Sequence, residues 1–444
     1  MEKVDVGGIV EDLRARGIDV IRVSYSDMIG TDRGRDVLLE ELATAMGHGL
    51  AFCRAIYHTT PRGDVVPVQG GLESGLPDIK ARPDLATLTD LPWEPGAAWV
   101  LADVYAEGGE PAGEGPRQVA RQVSARLAEI GLQAVIGPEL EFFICEPDPT
   151  CDRGWKRYAD EPGNVYVVGR KGDPKGILLT MLRYLRDARL QVTAANHEFS
   201  GGQFEINLNH SELVDAADRA FRMKSGVQEI ARHEGMLATF MAKPFNDEGG
   251  SGFHLHLSLV DASGTNVFGT DDDLSDVGRS AIAGVLAHAP ALAAILNPTI
   301  NSYKRFGPDT LAPWLIDWGM DNRSAMVRIP PERGQSSRME VRLGDATANP
   351  YLAMAAVSAA VYLGVRDKLE PPAPLEGYGY DPASAPMLPQ SLPEALDALE
   401  ADADLREVLG EFFVNSFVTY KRNEVERFSR HITDWEFLEY AYHL

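Results

Sequence analysis

Four short stretches of this chain alternate apolar and polar residues with a period of two, the pattern of a β-strand with one buried and one open face. In Glu139-Leu140-Glu141-Phe142-Phe143 the two acids share one face, and Leu140 and Phe142 share the other. In Gln203-Phe204-Glu205-Ile206-Asn207-Leu208, Glu205 stands opposite an apolar stripe. Phe253-His254-Leu255-His256-Leu257-Ser258-Leu259 puts both histidines on its polar side, and Arg338-Met339-Glu340-Val341-Arg342-Leu343 does so with Arg338, Glu340 and Arg342. Around these strands, apolar residues at helical spacing predict helices over 117–130, 175–190, 212–234, 274–296 and 351–368. A further helical pattern covers 392–420, where Pro393 suits a helix start.

The chain before residue 106 reads differently. Strand-like runs at 20–25 and 99–104 alternate with turns such as Gly30-Thr31-Asp32-Arg33-Gly34, which predicts a small mixed sheet. Residues 106–116 are a run of Gly, Pro, Glu and Ala with the composition of a connector and nothing to bury. The expected organisation is an N-terminal domain over 1–105, a linker over 106–116 and a larger α+β domain over 117–444.

Composition sets limits on what the chain does. At 444 residues and 44% hydrophobic content it can fill two cores. No apolar run reaches membrane-spanning length, and Met1-Glu2-Lys3-Val4-Asp5 does not open an export signal. A soluble, unprocessed, cytoplasmic protein with no membrane partner is expected. Cys53, Cys145 and Cys151 form neither a Cys-x-x-Cys pair nor a disulfide framework. With 42 Lys+Arg against 66 Asp+Glu, the formal charge of −24 repels phosphate backbones, so no nucleic-acid partner is expected.

Taken singly, each alternating strand reads as a solvated face. Together they carry Glu, His, Arg, Gln and Asn with almost no Lys, which is not the usual composition of such a face. If the strands are neighbours, their carboxylates crowd together, and crowded like charges need a cation between them or their pKa values rise. Carboxylates outnumber imidazoles, which favours Mg²⁺ or Mn²⁺ over zinc. Arg305, Arg323, Arg328, Arg338 and Arg342 fall close together in the chain. Their planar forks suit carboxylates and phosphates, and metal beside arginine points to phosphoryl chemistry.

The chain resembles the glutamine synthetase superfamily, class I type, along nearly all of its length. The resemblance rests on Gly137-Pro138-Glu139-Leu140-Glu141-Phe142-Phe143, on His197-Glu198 with Gly202-Gln203-Phe204-Glu205, and on Gly250-Ser251-Gly252-Phe253-His254-Leu255-His256. Asn297-Pro298-Thr299 with Asn301-Ser302-Tyr303-Lys304-Arg305, and Glu340-Val341-Arg342 with Ala348-Asn349-Pro350-Tyr351, complete it.

It implies a small β-grasp-like N-terminal domain and a catalytic domain with a curved antiparallel sheet backed by helices. It also implies stacked hexameric rings with active sites between subunits. Two or more Mg²⁺ or Mn²⁺ ions are implied per site, one held by Glu141, Glu198 and Glu205 and one by Glu139, His254 and Glu340. ATP would lie by His256, Ser258, Arg328 and Arg338. Glutamate would be gripped by Arg305, Arg342 and the backbone of Gly250, while Arg323, Arg328 and Arg305 would serve the phosphoryl transfer. The implied reaction activates the γ-carboxylate of glutamate as an acyl phosphate and joins it to an amine.

The sequence departs from the family where ammonia is bound. Members that use ammonia place one acid in a Phe-Asp-Gly-Ser-Ser loop, where this chain reads Phe52-Cys53-Arg54-Ala55-Ile56. They place a second acid in a flap, where this chain reads Gly307-Pro308-Asp309-Thr310-Leu311-Ala312-Pro313-Trp314, with Leu311 at the usual Glu. Gly249 replaces a common Asn, and Gly377-Tyr378-Gly379-Tyr380-Asp381 replaces the adenylylation segment. These changes resemble the γ-glutamyl-amine ligases and imply a primary amine larger than ammonia beside Leu311 and Trp314. The rival readings are a glutamine synthetase with a rearranged ammonium site, a guanidino kinase and a non-catalytic descendant.

Overall fold

The alternating segments become strands of one ten-stranded sheet in a computed structural model that describes residues 5–160, 165–308 and 310–444. The readings that fell on Met1 to Val4 and on Asp309 lie outside the described residues.

Six strands come first: β1 (Val20–Ser26), β2 (Asp32–Leu38), β3 (Leu50–Cys53), β4 (Asp78–Pro83), β5 (Thr89–Asp90) and β6 (Ala97–Ala106). They form a mixed sheet ordered β2-β1-β6-β4-β3, with β5 also on β6 and β1 running parallel to β6. Ile21, Val23, Ile79, Ala98 and Val100 fill its core with Leu13 of the helix Val6–Ala15. The expected turn at 30–34 is shorter than predicted, because Asp32 already begins β2 and pairs with Ser26.

Residues 106–116 are not a slack tether. Ala112 and Glu114 are buried, and Glu114 takes a two-pronged ion pair from Arg54 of the N-terminal segment. Arg117 then links Asp84 and Asp103 to Asp218 of the helix Leu213–His233, and Tyr351 donates to Asp218 as well. Paired, hydrogen-bonded charges are what burial at such a junction demands.

The second sheet contains β7 (Leu132–Pro147), β8 (Trp155–Arg157), β9 (Val192–His197), β10 (Gln203–Leu208), β11 (Ser211–Glu212), β12 (Leu237–Thr239), β13 (Phe253–Asp261), β14 (Trp318–Met320), β15 (Val327–Ile329) and β16 (Met339–Val341). Its main path is β14-β15-β16-β13-β7-β10-β9, antiparallel except for β14 with β15, and it curls into a half-barrel. Helices back it, so the fold is α+β, as expected. In the helix Pro350–Asp367 every residue from Pro350 to Gly364 is buried, which explains an apolar pattern without a polar face.

Two predicted helices are divided. The 274–296 run is Asp276–Ala287 and Ala289–Leu296, bent by 72°. Pro290, near the start of the second, lacks the N–H that a continuous helix needs. The 392–420 run is Leu392–Ala401, Ala403–Leu409 and Glu411–Ser429; Asp402 caps the second, and Gly410 precedes the third. Among the described residues no single helix is long and apolar enough to cross a membrane.

Candidate active site

Strand register assembles the polar face. Glu139 lies opposite His254 and Gly137 opposite His256 where β7 meets β13. On the other side of β7, Glu205 of β10 lies opposite Glu141, and Asn207 opposite Glu139. β16 sets Glu340 opposite His256, and β15 sets Arg328 opposite Glu340. Side chains alternate along a strand, so the same register sends Leu140, Phe142, Phe204, Ile206, Leu255 and Leu257 into the core.

Two sets of ligand atoms converge to within 4.8 Å of one another: Glu139, His256 and Glu340, and Glu139, Glu205 and His254. His254 Nδ1 is 3.7 Å from both Glu139 Oε2 and Glu340 Oε1, and His256 Nε2 is 3.0 Å from Glu139 Oε1. His254 thus lies near both Glu139 and Glu340, but the grouping differs from the expected one: His256, expected beside the nucleotide, joins Glu139 and Glu340, and Glu205, expected with Glu141 and Glu198, joins Glu139 and His254. Glu141, Glu198 and Glu205 form no such close trio among the described residues. Each is held by its own donors: Glu141 by Gln203 Nε2 and the Gly252 N–H, Glu198 by Asn196, and Glu205 by Asn207.

The carboxylates divide electrostatically. Burial works to raise Glu139, but hydrogen bonds and charge from His254 and His256 outweigh it and hold the group well below its ordinary range. Burial opposes Arg342, His254, His256 and Arg328 at Glu340, and the four together bring it down to about 2. Glu198 is pushed up to about 7, first by burial and then by the charge of Glu141, against the opposing pull of Asn196 and Arg323. Burial, followed by Glu139, Glu141 and Glu198, pushes Glu205 up to about 9. One half of the face is thus matched by positive charge, and the other carries acids that a hard cation would relieve. This donor set, mostly carboxylate oxygens with two imidazoles, fits Mg²⁺ or Mn²⁺.

The arginines face the same region with different commitments. Arg342 Nη1 donates to Glu340 Oε1 at 2.6 Å, and Arg328 Nη1 donates to Glu340 Oε2 at 2.7 Å. Arg305 is 5% exposed and lies over Gly250, where a Cβ would meet its Cγ at 2.6 Å and the Ala242 carbonyl at 2.7 Å. Only glycine fits that approach. Arg323 is exposed, and its charge reaches Glu198. Arg338 donates to His256 Nδ1 at 3.2 Å and to Glu332.

His256, Ser258, Arg338 and Glu139 line a cavity of about 760 Å³, within the range of small-molecule sites. The Ser258 hydroxyl donates a hydrogen bond to the Ser337 carbonyl at 2.8 Å. Leu311 is half exposed with φ at +61°, and the Trp314 indole N–H donates to Gln390 Oε1 at 3.0 Å.

Gln203 joins the site although the sequence pattern around it assigns it no role. Its Nε2 donates both to Glu141 and to the Gly250 carbonyl at 3.0 Å, tying the acid strand to the loop under Arg305. The signal was its place on the polar face of β10, two residues before Glu205.

Comparison with known proteins agrees with this geometry. Residues 113–440 match the family described as glutamine synthetase, catalytic domain. A glutamine synthetase of Halobacterium salinarum is 33% identical, with 96% of this chain and 94% of the relative covered. A glutamate–isopropylamine ligase of Pseudomonas sp. is also 33% identical, over 96% of each chain. Among solved structures, a GmaS/ADP complex superposes with a TM-score of 0.86 at 32% identity, covering 97% of this chain and 99% of its own.

Proposed function

This chain belongs to the glutamine synthetase family and is an ATP-dependent ligase of that type, and we propose that it joins the γ-carboxylate of glutamate to a primary amine other than ammonia. The observation that carries the amine reading is Leu311, an apolar side chain half exposed on the segment where ammonia-using members of the family are expected to present an acid. Arg54, beside the other expected acid position, is committed to Glu114 and brings no negative charge. Similarity to a glutamate–isopropylamine ligase and to GmaS supports the same reading.

In this reading Glu139, His254 and Glu340, with His256 beside them, would hold one divalent ion, and Glu141, Glu198 and Glu205 would hold another by drawing closer together than they stand in this structure. Bound metal supplies fixed positive charge against the phosphates of ATP. Arg305, Arg342 and the Gly250 backbone hold glutamate, while Arg323 and Arg328 neutralise the transferring phosphoryl group. A γ-carboxylate oxygen attacks the γ-phosphorus, ADP leaves, and the amine nitrogen attacks the resulting acyl phosphate carbonyl. Loss of one proton from nitrogen and departure of phosphate complete the amide. Water must be excluded meanwhile, because hydrolysis would discard the acyl phosphate.

The family resemblance also brings an assembly of stacked hexameric rings into the proposal. Exposed Trp435, Phe437, Leu438 and Tyr442 near the C-terminus support a surface for another copy.

The test measures ADP release and amide product with glutamate and ATP, comparing ammonium with methylamine, ethylamine, isopropylamine and putrescine at equal concentration. Higher kcat/KM for one of the organic amines is expected. Higher kcat/KM for ammonium would make the chain a glutamine synthetase, the reading favoured by its similarity to the Halobacterium protein.

A further inference from the structure

The segment from Pro372 to Gln390, which includes Gly377-Tyr378-Gly379-Tyr380-Asp381 in place of the family's adenylylation segment, wraps both the Leu311 segment and the loop 321–326 that carries Arg323. Trp318 Nε1 donates to the Pro372 carbonyl at 2.8 Å, and Leu375 N donates back to the Trp318 carbonyl at 2.7 Å. Asn322 Nδ2 donates to the Gly377 carbonyl at 2.6 Å, and Gly379 N donates to Ser324 Oγ at 2.9 Å, so Arg323 is bracketed on both sides. The Tyr380 hydroxyl donates to the Ala312 carbonyl at 3.0 Å. Beyond it, Ile316 N donates to the Pro386 carbonyl, Leu388 N to the Trp314 carbonyl, and Trp314 Nε1 to Gln390.

The contact at the arginine loop is tight. A Cβ at Gly379 would meet Leu375 Cδ2 at 2.9 Å and both Ser324 O and Ser324 Oγ at 3.0 Å. Tyr380 is 7% exposed, so its hydrogen bond to Ala312 is shielded from competing water.

We propose that Tyr380 is a positioning residue that fixes the backbone next to Leu311 relative to Arg323, so that ATP cleavage and amide formation stay coupled. This deepens the ligase reading above and rests on it. Tyr380 touches no reacting atom in this scheme; it acts through Ala312. The phosphoryl side, at Arg323, and the amine side, at Leu311, are then held by one continuous stretch of chain. If the Ala312 tie is lost, the arginine loop can still promote acyl phosphate formation, while the segment beside the amine no longer keeps water from the carbonyl.

The experiment is to measure ADP released per amide formed in Tyr380→Phe, which keeps the ring and removes only the hydroxyl, and in Gln390→Ala, which releases the Trp314 tie. A net hydrogen bond of about 1 kcal/mol corresponds to roughly a fivefold effect. ADP per amide should therefore rise severalfold above the wild-type ratio, and amine KM should rise about fivefold, while glutamate KM stays within about twofold. The ratio is read with whichever amine the wild type turns over fastest, ammonium included, so an error in amine identity leaves this test intact. An unchanged ratio in Tyr380→Phe overturns the proposal whatever Gln390→Ala shows, as does a fall in kcat with unchanged ratio and a lowered thermal midpoint.

Discussion

Glu139 and His254 face each other across two antiparallel strands, with Oε2 of one 3.7 Å from Nδ1 of the other. Residues more than a hundred positions apart in sequence meet because register, once chosen to bury Leu140 and Leu255, leaves no other place for the polar side chains. The same logic brings Glu340 to the pair through β16, where Arg328 and Arg342 bracket its carboxylate.

Replacing Glu340 with Ala should therefore damage both activity and stability. The carboxylate is 2% exposed and is shared by two guanidinium groups and, at longer range, two imidazoles. Its removal leaves Arg328 and Arg342 without their main counter-charge, at a cost of about 3 kcal/mol by analogy with other broken buried pairs. Amide formation should fall by about 100-fold or more, since a lost metal ligand forfeits several kcal/mol of charge stabilisation. Steady-state kinetics and a thermal melt check both, and full activity in the variant would refute the metal assignment.

Metal should act most strongly at alkaline pH. Glu198, raised to about 7, and Glu205, raised to about 9, hold protons in the metal-free fold that the unfolded chain gives up near its ordinary carboxylate pKa. Their contribution to stability is complete below about pH 4.5 and is lost as pH rises through 7 and then 9, because the unfolded state binds fewer protons there. Glu139 and Glu340 are shifted downward, so they stay ionised throughout this window. The thermal midpoint of chelator-treated protein should fall between pH 6 and pH 9 relative to the same protein in MgCl₂. A magnesium-induced gain that is equal at both pH values would count against the site.

Much of this site could be read from sequence because it lies on strands whose period is two. Glu205, His254 and Glu340 were placed on polar faces by counting alternate residues, and the helix over 212–234 differs from the observed Leu213–His233 by one residue at each end. Neighbour order was not readable: nothing local says that β10 and β13 flank β7, and so nothing local drew His256 toward Glu139 rather than the nucleotide alone. The break at His288 was hidden because apolar spacing continues through it. The wrapping of Ala312 by Tyr380 leaves no sequence pattern, since the acceptor is a main-chain carbonyl that every residue carries.

Leu311→Glu should shift amine preference toward ammonium. Leu311 already adopts a positive φ, so the new side chain adds little backbone strain beyond that already present. A carboxylate there would favour a small cation electrostatically and would disfavour an apolar amine substituent. The ratio of kcat/KM for ammonium to that for the preferred organic amine should rise about tenfold, which corresponds to roughly 1.4 kcal/mol of discrimination. An unchanged ratio would mean that Leu311 does not face the amine.

The C-terminal helix Asp434–Tyr440 gives the last prediction, and it concerns assembly. Thr433 and Glu436 form a reciprocal capping box, so the helix start is well specified by its own sequence. None of its residues is buried, although several are large and apolar: Trp435, Phe437 and Leu438 are each more than 60% exposed, and exposed Ile432 and Tyr442 flank them. A seven-residue helix is too short to be stable in water through propensity alone. Its apolar side chains need another surface, and a second copy of the chain is the occupant that the proposed assembly would supply. Deleting residues 431–444 should lower the particle mass measured by light scattering while leaving the described core folded by circular dichroism. If the truncated protein kept the mass of the full-length assembly, the contacts between copies would have to lie elsewhere.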